Sequence, residues 1–412
     1  MGFRDNFAVL RDANFRPFYI SVVPNQAAWS LITVGLPFAV LHVSDSPRAV
    51  GLVAASNSVP MVLMLLVGGV VSDRIDRTLV LRGARLAGGI AQAIAATLVI
   101  SGHAHVWTLM ITEAIVGVAL GMSFPAFQGL VPELAPREHL QQANALMSMS
   151  RGAINIVGPS VAALLVATVG GGWTLAAAAL MFFVSSTAVA FVKIPRKERT
   201  STTSPLADLR EGWVLFRTTT WFWVVVSSFM VINAIHSGAF AVLAPYVAKH
   251  TIGVRSWGFA LSAEAIGLLA VTFVMLRIKI RYPLRLMMLT CLPIALPVLV
   301  LGLYAHTWAL VPVMVIEGAC FELGGLGWNL AMQENIPAEM MSRAYSYDAL
   351  GSFLAIPIGQ LVYGSLGATV GYRPMLVGSG VVYIVLNLAV LAVPAVRNLR
   401  RNDPAEAGAT PA

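Results

Sequence analysis

Glu113, Arg151, Glu264, Glu317 and Glu322 are ionisable side chains set inside otherwise apolar runs of this 412-residue chain. A charged side chain in hydrocarbon costs at least about 2.5–3.5 kcal/mol on insertion scales, so each has a reason to be there. The carboxyl groups outnumber the one arginine, and at least one is expected to hold a proton part of the time. A carboxyl that can release that proton is the minimum equipment for coupling solute movement to a proton gradient. His236 is a further candidate for proton handling, although packing against a backbone carbonyl satisfies a lone histidine equally well. Arg151 is expected to need an acidic partner, because an unpaired guanidinium at that depth is very costly. Asn25, Gln26, Asn155 and Asn233 add neutral polarity, either for a substrate or for bonds across helices. Trp29, Phe124, Phe240, Tyr246, Phe321 and Trp328 offer an adaptable apolar wall, with ordinary packing as the alternative for each.

Elements long enough to cross a bilayer must carry these residues. The chain is 58% hydrophobic and 11% charged, whereas soluble domains carry roughly 25% charged residues. It divides into apolar runs of about 18–25 residues, the length that crosses a hydrocarbon core of about 30 Å. The predicted spans are 16–42, 48–71, 79–101, 106–130, 141–168, 173–193, 220–247, 256–276, 283–304, 308–333, 344–367 and 373–394. Internal prolines such as Pro24, Pro60 and Pro159 do not exclude them, since neighbouring helices re-satisfy the freed backbone groups. The first run is too long for a cleavable signal and lacks a small-residue cleavage site.

Most of the 27 Lys and Arg residues fall in the two terminal segments and in alternate connections, among them Arg74, Arg77, Arg82 and Arg85, and residues 193–219. Arg48, Lys249, Arg255 and Arg373 lie on the opposite side. This bias predicts both termini in the cytoplasm of a multi-pass inner-membrane protein. It accounts for the net charge of +8 without nucleic acid as a partner. Cys291 and Cys320 read as small apolar fillers. No nucleophile–base pair, metal cluster or phosphate loop is legible, which argues against an enzyme or an ATP-driven pump.

The organisation is twofold. Residues 1–193 and 220–396 form two six-span halves, joined by a hydrophilic linker at 194–219 and followed by a polar tail at 397–412. Leu206–Arg217 within the linker is predicted to be a short amphipathic helix on the membrane surface. The halves resemble each other at an offset of about 204 residues: Glu113 answers Glu317, and Gln128–Pro132 answers Gln333–Pro337. Internal symmetry of this kind belongs to transporters whose site lies between two repeats.

Between the second and third spans runs Gly69-Val-Val-Ser-Asp73-Arg74-Ile-Asp76-Arg77. This stretch resembles the signature loop of the major facilitator superfamily, with Asp76 where the general pattern has Gly. The Asp-Arg-x-Asp-Arg form, together with Leu10–Arg16, Pro125–Glu138, Gln142–Leu146 and Gly158-Pro159, resembles the bacterial branch that includes enterobactin and macrolide exporters. The resemblance implies an all-α fold of two pseudo-symmetric bundles, with spans 1, 4, 7 and 10 around a central cavity. It implies gating by Gly69, Asp73, Arg74 and Arg77, with Glu133 on the neighbouring loop as a partner for the arginines. Spans 5 and 8 meet in that fold, making Glu264 the first expected partner of Arg151 and Glu113 the second. Two departures stand out: Ser160-Val-Ala-Ala163 follows Gly158-Pro159 where related antiporters have a glycine pair, and Glu113 occupies the region where drug exporters place an arginine.

The expected function is proton-coupled export of an amphipathic small molecule, such as a drug, an antibiotic or a siderophore-like metabolite. It needs no cofactor beyond the proton gradient and no partner beyond solute and bilayer, with a monomer as the default. Glu113 and Glu317 are the leading proton carriers. A nutrient importer on the same fold, and a membrane sensor or lipid-handling protein, are the rival readings.

Overall fold

The computed structural model describes residues 12–134, 140–192, 205–275, 280–337 and 340–401. Helices fill it, with no strand among the described residues. The first six long helices are α1 (Phe15–Val43), α2 (Pro47–Arg74), α3 (Arg77–Ile100), α4 (Val106–Leu134), α5 (Leu140–Val169) and α6 (Gly171–Val189). The linker helix α7 (Pro205–Thr218) follows. Next come α8 (Thr220–His236), a π-helical turn (Ser237–Leu243), α9 (Ala244–His250) and α10 (Val254–Met275). The chain ends with α11 (Pro283–Cys291), α12 (Ala295–Leu303), α13 (Thr307–Asn335), α14 (Met341–Thr369), α15 (Tyr372–Ala392) and the short α16 (Pro394–Arg397). Twelve candidate membrane spans result, α8–α9 and α11–α12 each counting as one. The predicted limits agree with them to within about four residues, except the end of the second span, which the sequence places six residues further on.

Local chemistry explains several boundaries. Asp12 Oδ1 accepts from the backbone N–H groups of Asn14 and Phe15, both at 2.8 Å, and so opens α1. Asp76, the departure from the signature pattern, is the N-cap of α3: its carboxylate takes the Thr78 N–H at 2.9 Å and the Thr78 hydroxyl at 2.7 Å. Gly170 before α6 and Gly371 before α15 adopt φ of 91° and 92°, a region closed to most side chains. They hold matching places in the two halves, so the repeat is visible in the backbone as well as in the sequence. Pro293 lies in a 3-10 turn that interrupts the ninth span.

The helices pack as two compact units. The first comprises Met1–Thr200, Ala241–Ser262 and Gln360–Thr369. In it Phe15, Phe18 and Val22 of α1 pack with Leu81, Leu130, Leu146 and Val189 from α3, α4, α5 and α6. Further along, Trp29 meets the edge of Phe182, whose other neighbours are Gly88 and Gly89. The second unit comprises Ser201–Phe240, Ala263–Gly359 and Val370–Ala412. There α11 packs on α13 and α12 on α15. Trp213 and Phe216 of the linker helix stack near Tyr347 of α14, and Phe222 stacks on Trp328.

Candidate functional site

Two buried carboxyl groups, one in each unit, hold repeat-related places on long helices. Glu113 on α4 and Glu317 on α13 are each 1% exposed. Both helices are crossed closely by a neighbour, because glycine lets the backbones touch. A Cβ on Gly117 would stand 2.0 Å from the Asn57 carbonyl oxygen, and one on Gly318 would stand 1.9 Å from that of Glu264. Each crossing brings a polar residue of the partner helix, α2 or α10, to the buried acid.

The chemistry delivered differs. Asn57 donates from Nδ2 to Glu113 Oε2 at 2.9 Å, and Gln92 of α3 donates from Nε2 to Oε1 at 2.7 Å. Both carboxyl oxygens are thus bonded by neutral amides, which hold the group in place. Glu317 has no such support, and its Oε2 is buried without a hydrogen-bond partner. Within its electrostatic reach lie a second acid, Glu264, and the phenol of Tyr383 on α15. Two carboxylates facing each other in an apolar interior do not both carry charge cheaply, and a shared proton removes the conflict. Nearby, Asn387 gives its Nδ2 proton to the Tyr383 carbonyl at 2.8 Å and leaves its own Oδ1 unpaired.

The other sequence candidates divide. His236 stacks on Phe240 with ring centroids 4.5 Å apart, where α8 gives way to the π-helical turn. Such wide turns recur at functional sites. Glu322 is half-buried on α13, and Asn25, Gln26 and Asn233 are half-buried on α1 and α8. Gln26 Oε1 is a buried acceptor without a partner. Asn155, Phe124 and Phe321 are exposed. Trp29 and Trp328 are engaged in packing, and Trp328 also donates from Nε1 to Asp348 Oδ2 at 3.1 Å. Of the signature loop, Gly69, Asp73, Arg74 and Glu133 lie outside the residues whose side chains are described, while Arg77 begins α3.

Two expectations about arginine need correction. Arg151 is exposed on the surface of α5 within the fifth span, and no carboxylate among the described residues pairs with it. Spans 5 and 8 do meet, through Ser160 and Ser262 with their hydroxyls 2.7 Å apart. Arg151 lies about 13 Å along α5 from that crossing, whereas Glu264 is two residues beyond Ser262 on α10. The buried arginine is instead Arg85, which the charge pattern placed in a connection. It sits inside α3, 4% exposed, with Nη1 unpaired. Its position near a span edge disguised it.

Sequence reasoning also missed a polar clasp within the first unit. Asp45, between α1 and α2, accepts from Lys249 Nζ at 2.9 Å through Oδ1, and its Oδ2 lies 3.0 Å from His250 Nε2. Lys249 also donates to the Leu41 carbonyl at 2.8 Å, at the end of α1. The Lys249 hydrogen bond holds the Asp45 carboxyl below its ordinary range. Ser58 donates to Gln360 at 2.8 Å, adding a second polar tie from α2 to a later helix. The only sequence signal was a Lys-His pair ending an apolar run, opposite an Asp in a short turn.

Twelve spans with polar groups buried on repeat-related helices define a multi-pass membrane transporter. Residues 4–408 match the family described as transmembrane secretion effector, and the chain belongs to that family of major facilitator transporters. It is 25% identical over 411 residues to the multidrug efflux pump Tap of Mycobacterium tuberculosis, covering 95% of this chain and 96% of that protein. It is 23% identical over 406 residues to the enterobactin exporter EntS of Escherichia coli, covering 95% and 94%. Among solved structures, a bacterial homologue of the human lysosomal transporter Spinster superposes with a TM-score of 0.72 at 12% identity, over 96% of this chain and 99% of that one. That likeness speaks for the fold.

Proposed function

We propose that this protein is a proton-driven exporter of amphipathic small molecules in a bacterial inner membrane, with both termini cytoplasmic. The observation that carries the reading is the unequal treatment of the two buried acids. Glu113 is supported by Asn57 and Gln92, whereas Glu317 faces Glu264 with an unpaired oxygen. A supported carboxylate maintains its bundle, and an unsupported pair exchanges a proton when water or a cationic group reaches it. The efflux names of two relatives favour outward movement. In this orientation the Asp45–Lys249–His250 clasp lies on the outer face, where it stabilises the state closed to the outside and must open for release. Alternating access then carries solute out as protons enter.

The direct test is direction. Inverted membrane vesicles energised with an inward-acid pH gradient should accumulate ethidium, a lipophilic cation, and right-side-out vesicles should not. Accumulation confined to right-side-out vesicles would make the protein an importer.

A further inference from the structure

The surface of the first unit carries two grooves of nearly equal size and different chemistry. One, of about 590 Å³, lies between α3 and α4, and all its walls are apolar. The other, of about 600 Å³, lies between the start of α1 and the end of α6. Its walls include Ile20, Phe183, Val184 and Phe191, and its single charged residue is Arg16. Ile20 is 50% exposed and Phe191 67%.

Nothing described in the protein neutralises Arg16. The acid nearest in sequence, Asp12, turns its Oδ1 into the cap of α1. Thr187, the other polar wall residue, gives its hydroxyl proton to the Phe183 carbonyl at 2.9 Å. The groove runs from Phe183 to Phe191, about 12 Å along the end of α6 and the turn after it, a length that fits within one leaflet of a core about 30 Å thick. The sequence flanking its two walls is basic. Arg4 and Arg11 precede one wall, and Lys193, Arg196, Lys197 and Arg199 follow the other.

We propose that the α1–α6 groove binds an anionic phospholipid of the inner leaflet, its phosphate on Arg16 and an acyl chain along Ile20, Phe183 and Val184. Cation and apolar slot together match a headgroup with its chain, and basic residues at a membrane surface attract anionic lipid. The α3–α4 groove offers the slot without the charge, so it takes acyl chains regardless of headgroup. This inference rests on the membrane spans and on the cytoplasmic placement of the N-terminus, and not on the transport reading.

The test is native mass spectrometry of the purified protein in micelles containing equal phosphatidylglycerol and phosphatidylcholine. Wild type should retain phosphatidylglycerol about fivefold over phosphatidylcholine, the ratio equivalent to about 1 kcal/mol from one basic residue. Arg16→Gln should bring the ratio close to one, and Ala188→Trp, which fills the groove, should lower retention of the anionic lipid. Ala114→Trp in the α3–α4 groove should leave the ratio at its wild-type value. Because the ratio is read within one sample, partial loss of folded protein does not imitate the result. Equal retention by wild type, or an unchanged ratio in Arg16→Gln, would overturn the site. So would displacement of phosphatidylglycerol by ethidium, which would make the groove a solute site.

Discussion

Gln92 donates a hydrogen bond from Nε2 to Oε1 of Glu113 at 2.7 Å, joining α3 to α4 at a position where both side chains are buried. Asn57 completes the arrangement from α2. Glu113 thereby becomes the anchor of a three-helix contact. Leaving a buried acceptor without its hydrogen bond costs about 1–3 kcal/mol. Gln92→Leu should therefore lower thermal stability in detergent by a free energy of that order. Glu113→Gln should lower it less, because the new amide oxygen still accepts from one partner and Gln92 can turn its amide so that its unpaired Oε1 takes the added N–H. Thermal unfolding of both variants is the check, and a Glu113→Gln protein that loses stability while Gln92→Leu does not would deny this anchoring role.

Arg85 gives the opposite expectation. A buried guanidinium with Nη1 unpaired and no acid bonded to it among the described residues is a cost to the fold. Replacing buried charge by a well-packed apolar group is often neutral or stabilising. Arg85→Met should hold or raise the unfolding temperature in detergent. A clear fall would mean that the guanidinium does have a strong partner in the folded protein.

The clasp sets a pH dependence. His250 Nδ1 faces the Tyr246 carbonyl at 2.8 Å while Nε2 faces the Asp45 carboxylate at 3.0 Å. Lys249 holds the Asp45 carboxyl below its ordinary value of 3.8. The stability it contributes is therefore present above that value and lost as pH falls through the lower, folded-state one. Above that value Asp45 stays charged and the Lys249 bond persists, whereas a carboxyl protonated at lower pH weakens the clasp. Exposed pairs contribute about 0.2–1 kcal/mol, so the closed population should change by no more than about fivefold. Spin labels at Ser46→Cys and Thr251→Cys, with Cys291→Ala and Cys320→Ala, should report separation as pH falls below 3.8 and little pH response in Asp45→Asn. An identical pH response in Asp45→Asn would remove the carboxyl from the clasp.

Much of this was legible because a bilayer imposes one dominant rule. Every apolar run of sufficient length became a helix, and the Ser/Thr linker yielded the amphipathic α7. Glu113 and Glu317 could be picked out because charge within such runs is rare and the repeat offset aligned them. Their difference was not legible, since it depends on which residues the helix crossings at Gly117 and Gly318 bring alongside. Asn57 and Gln92 carry no charge and so gave no signal of their own. Arg85 and Arg151 were exchanged in role because depth along a helix does not reveal which way its face is turned. Asp76 resembled a lapse in a signature, yet it caps α3.

The central claim is that the Glu264–Glu317 pair carries the proton while Glu113 maintains structure. Proton-driven ethidium accumulation in proteoliposomes, measured for Glu317→Gln, Glu264→Gln and Glu113→Gln beside wild type, addresses it most directly. Glu317→Gln and Glu264→Gln should each lose uphill accumulation while keeping exchange driven by an ethidium gradient, since each substitution removes only a titrating group and keeps the side chain's shape. Glu113→Gln should keep proton-driven accumulation at a reduced rate. Accumulation abolished in Glu113→Gln and retained in both Glu264→Gln and Glu317→Gln would contradict the account.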